Sequence, residues 1–113
     1  MGMKTGLGRK REILLNQELD RILEEVKKLG ALKVILFGSL NEHTVGKSSD
    51  IDMAIIKETK KTFSKRLDEL YEKINPRVAV DFFVYTPEEI DKLKSSSFFI
   101  RRMLERGRVL YEA

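Results

Sequence analysis

The feature that most constrains the fold is the alternation between helical and strand spacing of the apolar residues. From Leu15 to Leu29, apolar residues recur at spacings of four, three, four and three, which predicts a helix with one buried face. The segment Lys33–Phe37 is a short β-branched and aromatic run typical of a buried strand. A chain that changes between the two periods is expected to pack helices onto a sheet.

The alternation continues along the rest of the sequence. Thr86 and Glu89 stand three residues apart around Pro87, the pattern of a capping box at a helix start. The other predicted elements are strands at 50–56, 78–85 and 109–111, a helix at 63–74 and helical material up to Arg106. We therefore expect an α/β fold: one small domain at 12–113, with a mixed sheet of about three or four strands packed with helices, after a flexible basic arm at 1–11.

The composition excludes several classes of protein. The chain has no cysteine, so a disulfide scaffold, a thiolate zinc site and cysteine catalysis are excluded. His43 is the one histidine, which excludes a multi-histidine metal site. No apolar run approaches the roughly 20 residues that a membrane span needs, and the basic N-terminus lacks the apolar segment of a secretory signal. A cytoplasmic protein without membrane contact is expected.

The charge is distributed unevenly along the chain. Residues 1–11 contain four basic residues and no acidic one, and residues 92–113 contain six basic and two acidic residues. The body between them, residues 12–91, holds 12 basic and 16 acidic residues. Because a nucleic-acid binder more often carries a basic stripe on its folded body, direct nucleic-acid binding is not expected. The acidic middle indicates a need for cations.

Three aspartates interrupt the predicted strands. Asp50 and Asp52 flank Ile51, and Asp81 lies within a later apolar run, although Asp is poorly suited to strands. If the two strands are neighbours, the three carboxylates converge, and such a cluster recruits cations or raises one pKa. Mg²⁺, as a single ion or as a pair, suits carboxylate and phosphate oxygens. The alternative is that Asp50 is an N-cap or begins a strand and the other two face solvent.

A glycine and a serine follow the first predicted strand. Gly38 would let the backbone approach a bulky anion, and Ser39 would donate hydrogen bonds to phosphate oxygens. Ser49 either begins a strand or, beside Asp50, orients a carboxylate or contacts phosphate. The alternative for Gly38 and Ser39 is an ordinary strand-to-helix turn with a serine cap.

These residues together resemble the active-site pattern of the polymerase-beta-like nucleotidyltransferase superfamily. The matching motifs are Phe37-Gly-Ser39, Asp50-Ile-Asp52 and Val80-Asp81-Phe82. The surrounding segments at 49–53, 80–90 and 107–112 are similar to the minimal nucleotidyltransferase (MNT) branch, and the resemblance covers most of residues 30–112.

The resemblance implies a nucleotidyltransferase domain that transfers a nucleotide from an NTP, with ATP as the donor. In such proteins the Gly-Ser pair, here Gly38 and Ser39, holds the triphosphate, with Ser49 as a further candidate. Asp50, Asp52 and Asp81 would be the catalytic and Mg²⁺-binding carboxylates of a two-ion site. A hydroxyl attacks the α-phosphorus and pyrophosphate leaves.

The resemblance also suggests a partner. Minimal nucleotidyltransferases commonly act as antitoxins of HEPN-type toxins and transfer AMP onto a tyrosine of the toxin. We therefore expect a protein adenylyltransferase, because the sequence leaves no segment for an acceptor domain. A homo-oligomer is left open, and transfer to a small molecule is a weaker alternative.

One loop departs from the family pattern. Many minimal members carry Ala-Arg-Gly where this sequence has Asn41-Glu42-His43, so an acidic residue replaces a cation near the phosphates. Lys47 is a substitute cation or an ordinary solvated loop residue. The departure motivates a second hypothesis, in which a catalytically weak or inactive nucleotide-binding module neutralises its partner by stoichiometric binding.

Overall fold

The computed structural model describes residues 6–41 and 50–113 of the chain. Helices and strands alternate, as the changes of apolar spacing predict. The elements are α1 (Gly6–Lys28), β1 (Lys33–Phe37), α2 (Gly38–Asn41), β2 (Ile51–Ile56), α3 (Phe63–Ile74), β3 (Val80–Tyr85), α4 (Pro87–Leu93), α5 (Phe98–Arg106) and β4 (Arg108–Glu112).

The four strands form one mixed sheet in the order β3-β2-β1-β4. β1 runs antiparallel to both of its neighbours, β2 and β4. β2 and β3 are parallel, with α3 as the crossover between them. The expectation of a small α/β domain with a mixed sheet is confirmed.

One face of the sheet is covered by α1 and α3. The predicted stripe of α1 is buried there, together with Leu70 and Ile74 of α3. Alternate strand residues point into the same layer because successive side chains of a strand project to opposite faces. They are Val34, Leu36, Ile51, Met53, Ile55, Val80, Phe82 and Val84.

The opposite face is covered by α4 and α5. Ile90 of α4 and both Ile100 and Met103 of α5 pack against the other set of strand residues, Ile35, Ala54 and Ile56. The molecule therefore has three layers, with the sheet between two pairs of helices. Both apolar faces of the sheet are removed from water, which is the main contribution to its stability.

The helix ends show which local patterns decide the structure. The Thr86 hydroxyl accepts from the amide of Glu89, and the Glu89 carboxylate accepts from the amide of Thr86, so the predicted capping box is confirmed. Ser97 caps α5 in a similar way and separates it from α4. α1 begins at Gly6, so residues 6–11, assigned to a basic arm from the sequence, form its first turns. Residues 1–5 lie outside the described part.

The apolar residues of α5 divide between the core and the surface. The sequence predicts such a mixture, with core as the preferred interpretation, and Phe98 is 67% exposed and Phe99 42% exposed. Ile100 and Met103 are the buried residues of this helix, and Leu104 packs beside them against the sheet. Phe99 lies at the margin of this contact, where its ring meets Phe37 and Phe83. The described part of the chain contains no helix with both the length and the apolar character of a membrane span.

A partly buried ion pair joins the two helical layers. Arg66 of α3 is buried, and its guanidinium donates to both carboxylate oxygens of Glu89 on α4, with the closer contact at 2.7 Å. The same guanidinium donates to the carbonyls of Lys61 and Val84. This network of hydrogen bonds lies at the C-terminal end of β3.

Candidate functional site

The end of β1 and the beginnings of β2 and β3 lie at the same end of the sheet. Because β1 runs antiparallel to β2, its last residue, Phe37, is paired with Asp52. Because β2 and β3 are parallel, Asp52 is also paired with Asp81. Residues in register on neighbouring strands project to the same face. The topology therefore places two of the three predicted carboxylates side by side, on the face that α4 and α5 cover further along the strands.

The third predicted carboxylate lies just outside the sheet. Asp50 precedes β2, which begins at Ile51, so the strand is one residue shorter than the sequence predicts. Asp50 is half-buried, as is Asp52, whereas Asp81 is exposed. The charges of Asp81 and Asp50 both act on Asp52. The three residues therefore form one electrostatic unit with Asp52 at its centre.

The ionisation of Asp52 is strongly perturbed. Partial burial, and then the negative charges of Asp81 and Asp50, raise the pKa of Asp52 from 3.8 to about 6. Burial penalises the charged form, and nearby carboxylates add repulsion. A carboxylate in this situation gains free energy from a cation placed beside it. The pKa shift therefore fits a site that receives positive charge from a ligand.

Gly38 is packed directly against the carboxylate of Asp52. Its φ of +78° lies in the left-handed region, which side chains with a Cβ rarely adopt. A Cβ at this position would overlap the carboxylate of Asp52. The glycine is thus required for two reasons, the backbone conformation and the close approach. It leaves backbone, and no side chain, facing the central carboxylate.

The chemistry of the donors fits Mg²⁺, although their present arrangement is not a closed metal site. Within residues 6–41 and 50–113, no group of three or more His, Cys, Asp or Glu side chains is arranged to hold a metal ion. The paired carboxylates of Asp52 and Asp81 are nevertheless hard oxygen donors of the kind that Mg²⁺ prefers. Because residue 38 has no side chain, the backbone lies directly against the Asp52 carboxylate. The residues present can hold the ion together with ligands from a nucleotide.

Two predicted nucleotide-binding residues fall at the limits of the described structure. Ser39 lies in α2, directly after Gly38, but its side chain is outside the described part. Ser49 lies in residues 42–49, which are outside it altogether, as are Glu42, His43 and Lys47. The roles of both serines stay predictions.

A cleft adjoins Gly38 on the side of β1 and α5. Its volume is about 250 Å³, and its wall is mainly apolar. Asn41 of α2 donates from its side-chain amide to the carbonyl of Arg106, at 3.0 Å, and so ties α2 to the end of α5. The residues that line it are Phe37, Gly38, Asn41, Phe99, Arg102, Met103 and Arg106.

Sequence reasoning missed this cleft. Phe99, Arg102, Met103 and Arg106 follow a spacing of three, one and three, which places them on one face of α5. From the sequence, the apolar members of this face belong to the core or to a partner-binding patch, and the arginines to a basic face or to an ordinary solvated helix. The spacing could have indicated a shared face, but the strand end that it meets is remote in the sequence.

The comparison with family models decides the family. Residues 17–113 match the model described as "Polymerase beta, Nucleotidyltransferase". The chain belongs to this family. The match includes β1, β2 and β3, and hence Gly38 and the three aspartates. No curated protein matches the sequence significantly.

Two solved structures share the fold. One is an inferred nucleotidyltransferase from Sulfolobus solfataricus, with a TM-score of 0.69 and 21% identity, over 98% of this chain and 93% of that one. The other is a toxin-antitoxin structure with AMP-PNP, with a TM-score of 0.55 and 19% identity, over 83% of this chain and 73% of that one. At these identities the likeness shows a common nucleotidyltransferase-type fold.

Proposed function

We propose that the protein is a Mg²⁺-dependent adenylyltransferase that transfers AMP from ATP to a hydroxyl, a tyrosine in the leading case, of a HEPN-type toxin. It would act in the cytoplasm as the antitoxin of that partner. The observation that carries the proposal is the row of residues at one end of the sheet. Asp52 lies in register with Asp81, and Gly38 packs against Asp52. Family membership and the toxin-antitoxin neighbour support it.

The residues of the chain divide the work of the proposed reaction. Asp50, Asp52 and Asp81 would hold the metal, and Gly38 with Ser39 and Ser49 would bind the triphosphate. Bound Mg²⁺ would neutralise charge on the phosphate oxygens and lower the pKa of the attacking hydroxyl.

The bond changes follow from the nucleotide chemistry. The acceptor oxygen forms a bond to the α-phosphorus, the bond from that phosphorus to the pyrophosphate oxygen breaks, and pyrophosphate leaves. The hydroxyl proton passes to solvent or to Asp81, which is exposed on the edge strand β3. The edge position leaves Asp81 open to a large acceptor such as a protein.

The test is transfer to a purified partner. The protein, ATP, Mg²⁺ and a candidate HEPN-type toxin are incubated, and the mass of the toxin is measured. Whole AMP units should appear with the wild-type protein. Asp52→Asn should reduce the rate by roughly 10³-fold, because several kcal/mol of metal-dependent stabilisation are lost.

A matched variant controls for the loss of one negative charge. Asp68 is exposed on α3 and is not one of the three site carboxylates, so Asp68→Asn should transfer AMP at the wild-type rate. If the wild-type protein adds no AMP and the toxin is still inhibited, the enzymatic proposal is wrong.

That outcome would favour stoichiometric inhibition by a nucleotide-binding module. The specific observation behind this second candidate is that the three carboxylates do not form a metal-binding group among the described residues. The Asn41-Glu42-His43 loop points in the same direction. The discriminating experiment is protection from the toxin by the double variant Asp50→Asn/Asp52→Asn. Full protection supports binding alone, and lost protection with unchanged toxin binding supports the enzyme.

A further inference from the structure

Asp81 lies on an edge strand of the sheet. In the part of the chain that the structure describes, β3 pairs with β2 on its inner side and with no strand on its outer side. On the inner side the amide of Ile51 donates to the carbonyl of Ala79, at 3.0 Å. The side chain of Asp81 is exposed. A functional carboxylate in such a position needs a further restraint on its backbone to keep its geometry beside Asp52.

Tyr71 of α3 supplies a restraint from the outer side. Its hydroxyl donates a hydrogen bond to the carbonyl of Val80, which belongs to the same peptide group as the amide of Asp81. Its ring packs against Phe82, with centroids 5.1 Å apart. Val80 and Phe82 are the two neighbours of Asp81 in β3, and both face the layer of α1 and α3. One side chain therefore holds both neighbours of Asp81, on the face of the sheet opposite to the Asp81 carboxylate.

The ionisation of Tyr71 preserves this contact. Partial burial raises the pKa of the Tyr71 hydroxyl, a hydrogen bond with the backbone of Phe82 opposes the shift, and the charge of Asp81 adds to the rise. The hydroxyl therefore stays protonated well above neutral pH. Because a phenolate can only accept hydrogen bonds, the raised pKa keeps Tyr71 a donor to the carbonyl of Val80.

A separate contact anchors the chain before it enters β3. Glu18 and Arg21 form a two-oxygen ion pair on α1 and together bind the backbone of residues 74–77. The arginine donates to two carbonyls of this segment, and the buried glutamate accepts from one amide. Loss of the tyrosine hydroxyl would therefore leave the entry into β3 in place and release the peptide group that precedes Asp81.

The edge position of Asp81 and the two contacts to its neighbours assign a role to one side chain of α3. We propose that Tyr71 is the positioning residue of Asp81, which holds the backbone of the edge strand so that the carboxylate stays beside Asp52. The assignment rests on the proposed transfer function and deepens it by a residue that acts through Asp81. A misplacement of about 1 Å in a catalytic arrangement can cost roughly 10²-fold in rate, so a restraint of this kind has a measurable effect.

The test variant is Tyr71→Phe, which keeps the ring against Phe82 and removes the hydroxyl. In AMP transfer to the toxin, its kcat should fall about 10-fold, because the carboxylate of Asp81 is less well placed. Its KM for ATP should change by less than about 2-fold, because the variant leaves the nucleotide-binding residues unchanged.

A second measurement on the free protein needs neither metal nor partner. The residual dipolar coupling of the Asp81 N–H bond, measured by NMR, reports the orientation of the peptide group that Tyr71 holds. In Tyr71→Phe this coupling should be reduced by averaging. The amide of Phe82 should exchange with solvent about 10-fold faster, because its hydrogen-bond partner is lost.

Tyr85→Phe is the matched control. Tyr85 ends the same strand and is half-buried, and in the ranges 6–41 and 50–113 its hydroxyl forms no hydrogen bond with the protein. The control should therefore keep the wild-type kcat and leave the coupling of Asp81 and the exchange rate of Phe82 unchanged. Thermal unfolding by circular dichroism verifies that both variants are folded.

Three results would overturn the positioning role. They are an unchanged Asp81 coupling and Phe82 exchange rate in Tyr71→Phe, a wild-type kcat in this variant, and an equal loss of kcat in Tyr85→Phe. A wild-type protein that transfers no AMP contradicts the proposed function alone, since the NMR measurements still decide whether Tyr71 holds Asp81. AMP transfer with no effect of Tyr71→Phe contradicts the positioning role alone.

Discussion

The two ends of β3 lie in opposite electrostatic environments. At its C-terminal end, Arg66 and Glu89 form a two-oxygen ion pair, with further hydrogen bonds to backbone carbonyls and a capping box. At its N-terminal end, Asp81 lies in register with Asp52, and Asp50 adds a third negative charge. Within this six-residue strand, the carboxylate at the C-terminal end is paired with an arginine, whereas the carboxylates at the N-terminal end repel one another.

The pKa values express this difference. Hydrogen bonding from Arg66 holds the pKa of Glu89 below its usual value, so the folded state favours the ionised carboxylate. Burial and two neighbouring carboxylates raise the pKa of Asp52 to about 6, so the folded state favours its protonated form. The first end contributes stability at neutral pH, and the second reduces it. A chain under pressure for stability alone would not keep the second arrangement.

The largest effect on stability is expected at the neutralised end. Glu89→Ala would leave the buried guanidinium of Arg66 without its carboxylate and remove half of the capping box at Thr86. We expect a loss of about 3 kcal/mol in the free energy of unfolding, measured by urea denaturation. Glu88→Ala, which removes only an exposed pair with Lys92, should change it by less than about 0.5 kcal/mol. Equal effects of the two variants would contradict a structural role for the pair.

The next effect is expected at the acidic end. Gly38→Ala introduces a Cβ at positive φ and also drives it into the carboxylate of Asp52, whereas Gly30, with a φ of +94°, has open space around it. We expect Gly30→Ala to cost about 1 kcal/mol and Gly38→Ala about 2 kcal/mol or more in thermal unfolding experiments. If the two variants are equally stable, Gly38 is not in contact with Asp52 in solution.

The third effect has the opposite sign. Because the folded-state pKa of Asp52 is raised, the contribution of Asp52 to the stability of the wild type should fall as the pH rises from about 4 to about 6. Asp52→Asn removes this penalty. After allowance for solvent screening, the variant should be about 1.5 kcal/mol more stable at pH 7.5.

The control for this prediction is the pH itself. At pH 4 most of the difference between Asp52→Asn and the wild type should vanish, since the aspartate is then protonated in the folded state. A series of thermal melts between pH 4 and 8 measures both values. A variant that is less stable than the wild type at pH 7.5 would show that Asp52 is stabilised by a partner.

The smallest effect tests the cap next to the ion pair. Thr86 accepts a hydrogen bond from the amide of Glu89, whereas Thr62, the cap of α3, makes no side-chain hydrogen bond. We expect Thr86→Ala to cost about 1 kcal/mol in urea denaturation, and Thr62→Ala to change stability by less than about 0.5 kcal/mol. If Thr62→Ala lost more stability than Thr86→Ala, the hydrogen bond of Thr86 would not be the source of its stabilising effect.

The parts of the fold that depend on neighbours in sequence were predictable. The bounds of β1 match the expected strand, and the start of α4 follows from the three-residue spacing of Thr86 and Glu89. The strand at 78–85 was expected two residues early, since Val78 and Ala79 are apolar but precede the first residue of β3. Apolar pattern indicates burial, and hydrogen bonding to a partner strand decides where a strand begins.

The parts that depend on remote pairing could not be derived from residue spacing alone. Alternation placed Asp50 and Asp52 on one side of a strand, but the register that brings Asp81 beside Asp52 follows from the parallel crossover through α3. Nothing in the sequence pairs Arg66 with Glu89, because the contact joins helices on opposite faces of the sheet. The cleft beside Gly38 was missed for the same reason, since α5 reaches the end of β1 from more than 50 residues away.

The parallel pairing of β2 and β3 also sets the order in which the molecule can assemble. Parallel strands need a long crossover, and non-local pairings of this kind form slowly because their loop entropy must be overcome first. We therefore expect Asp52 and Asp81 to come together only when the crossover from β2 through α3 to β3 is complete. The repulsion between the two carboxylates is absent from the early stages of folding. It arises when enough buried surface has formed to outweigh it.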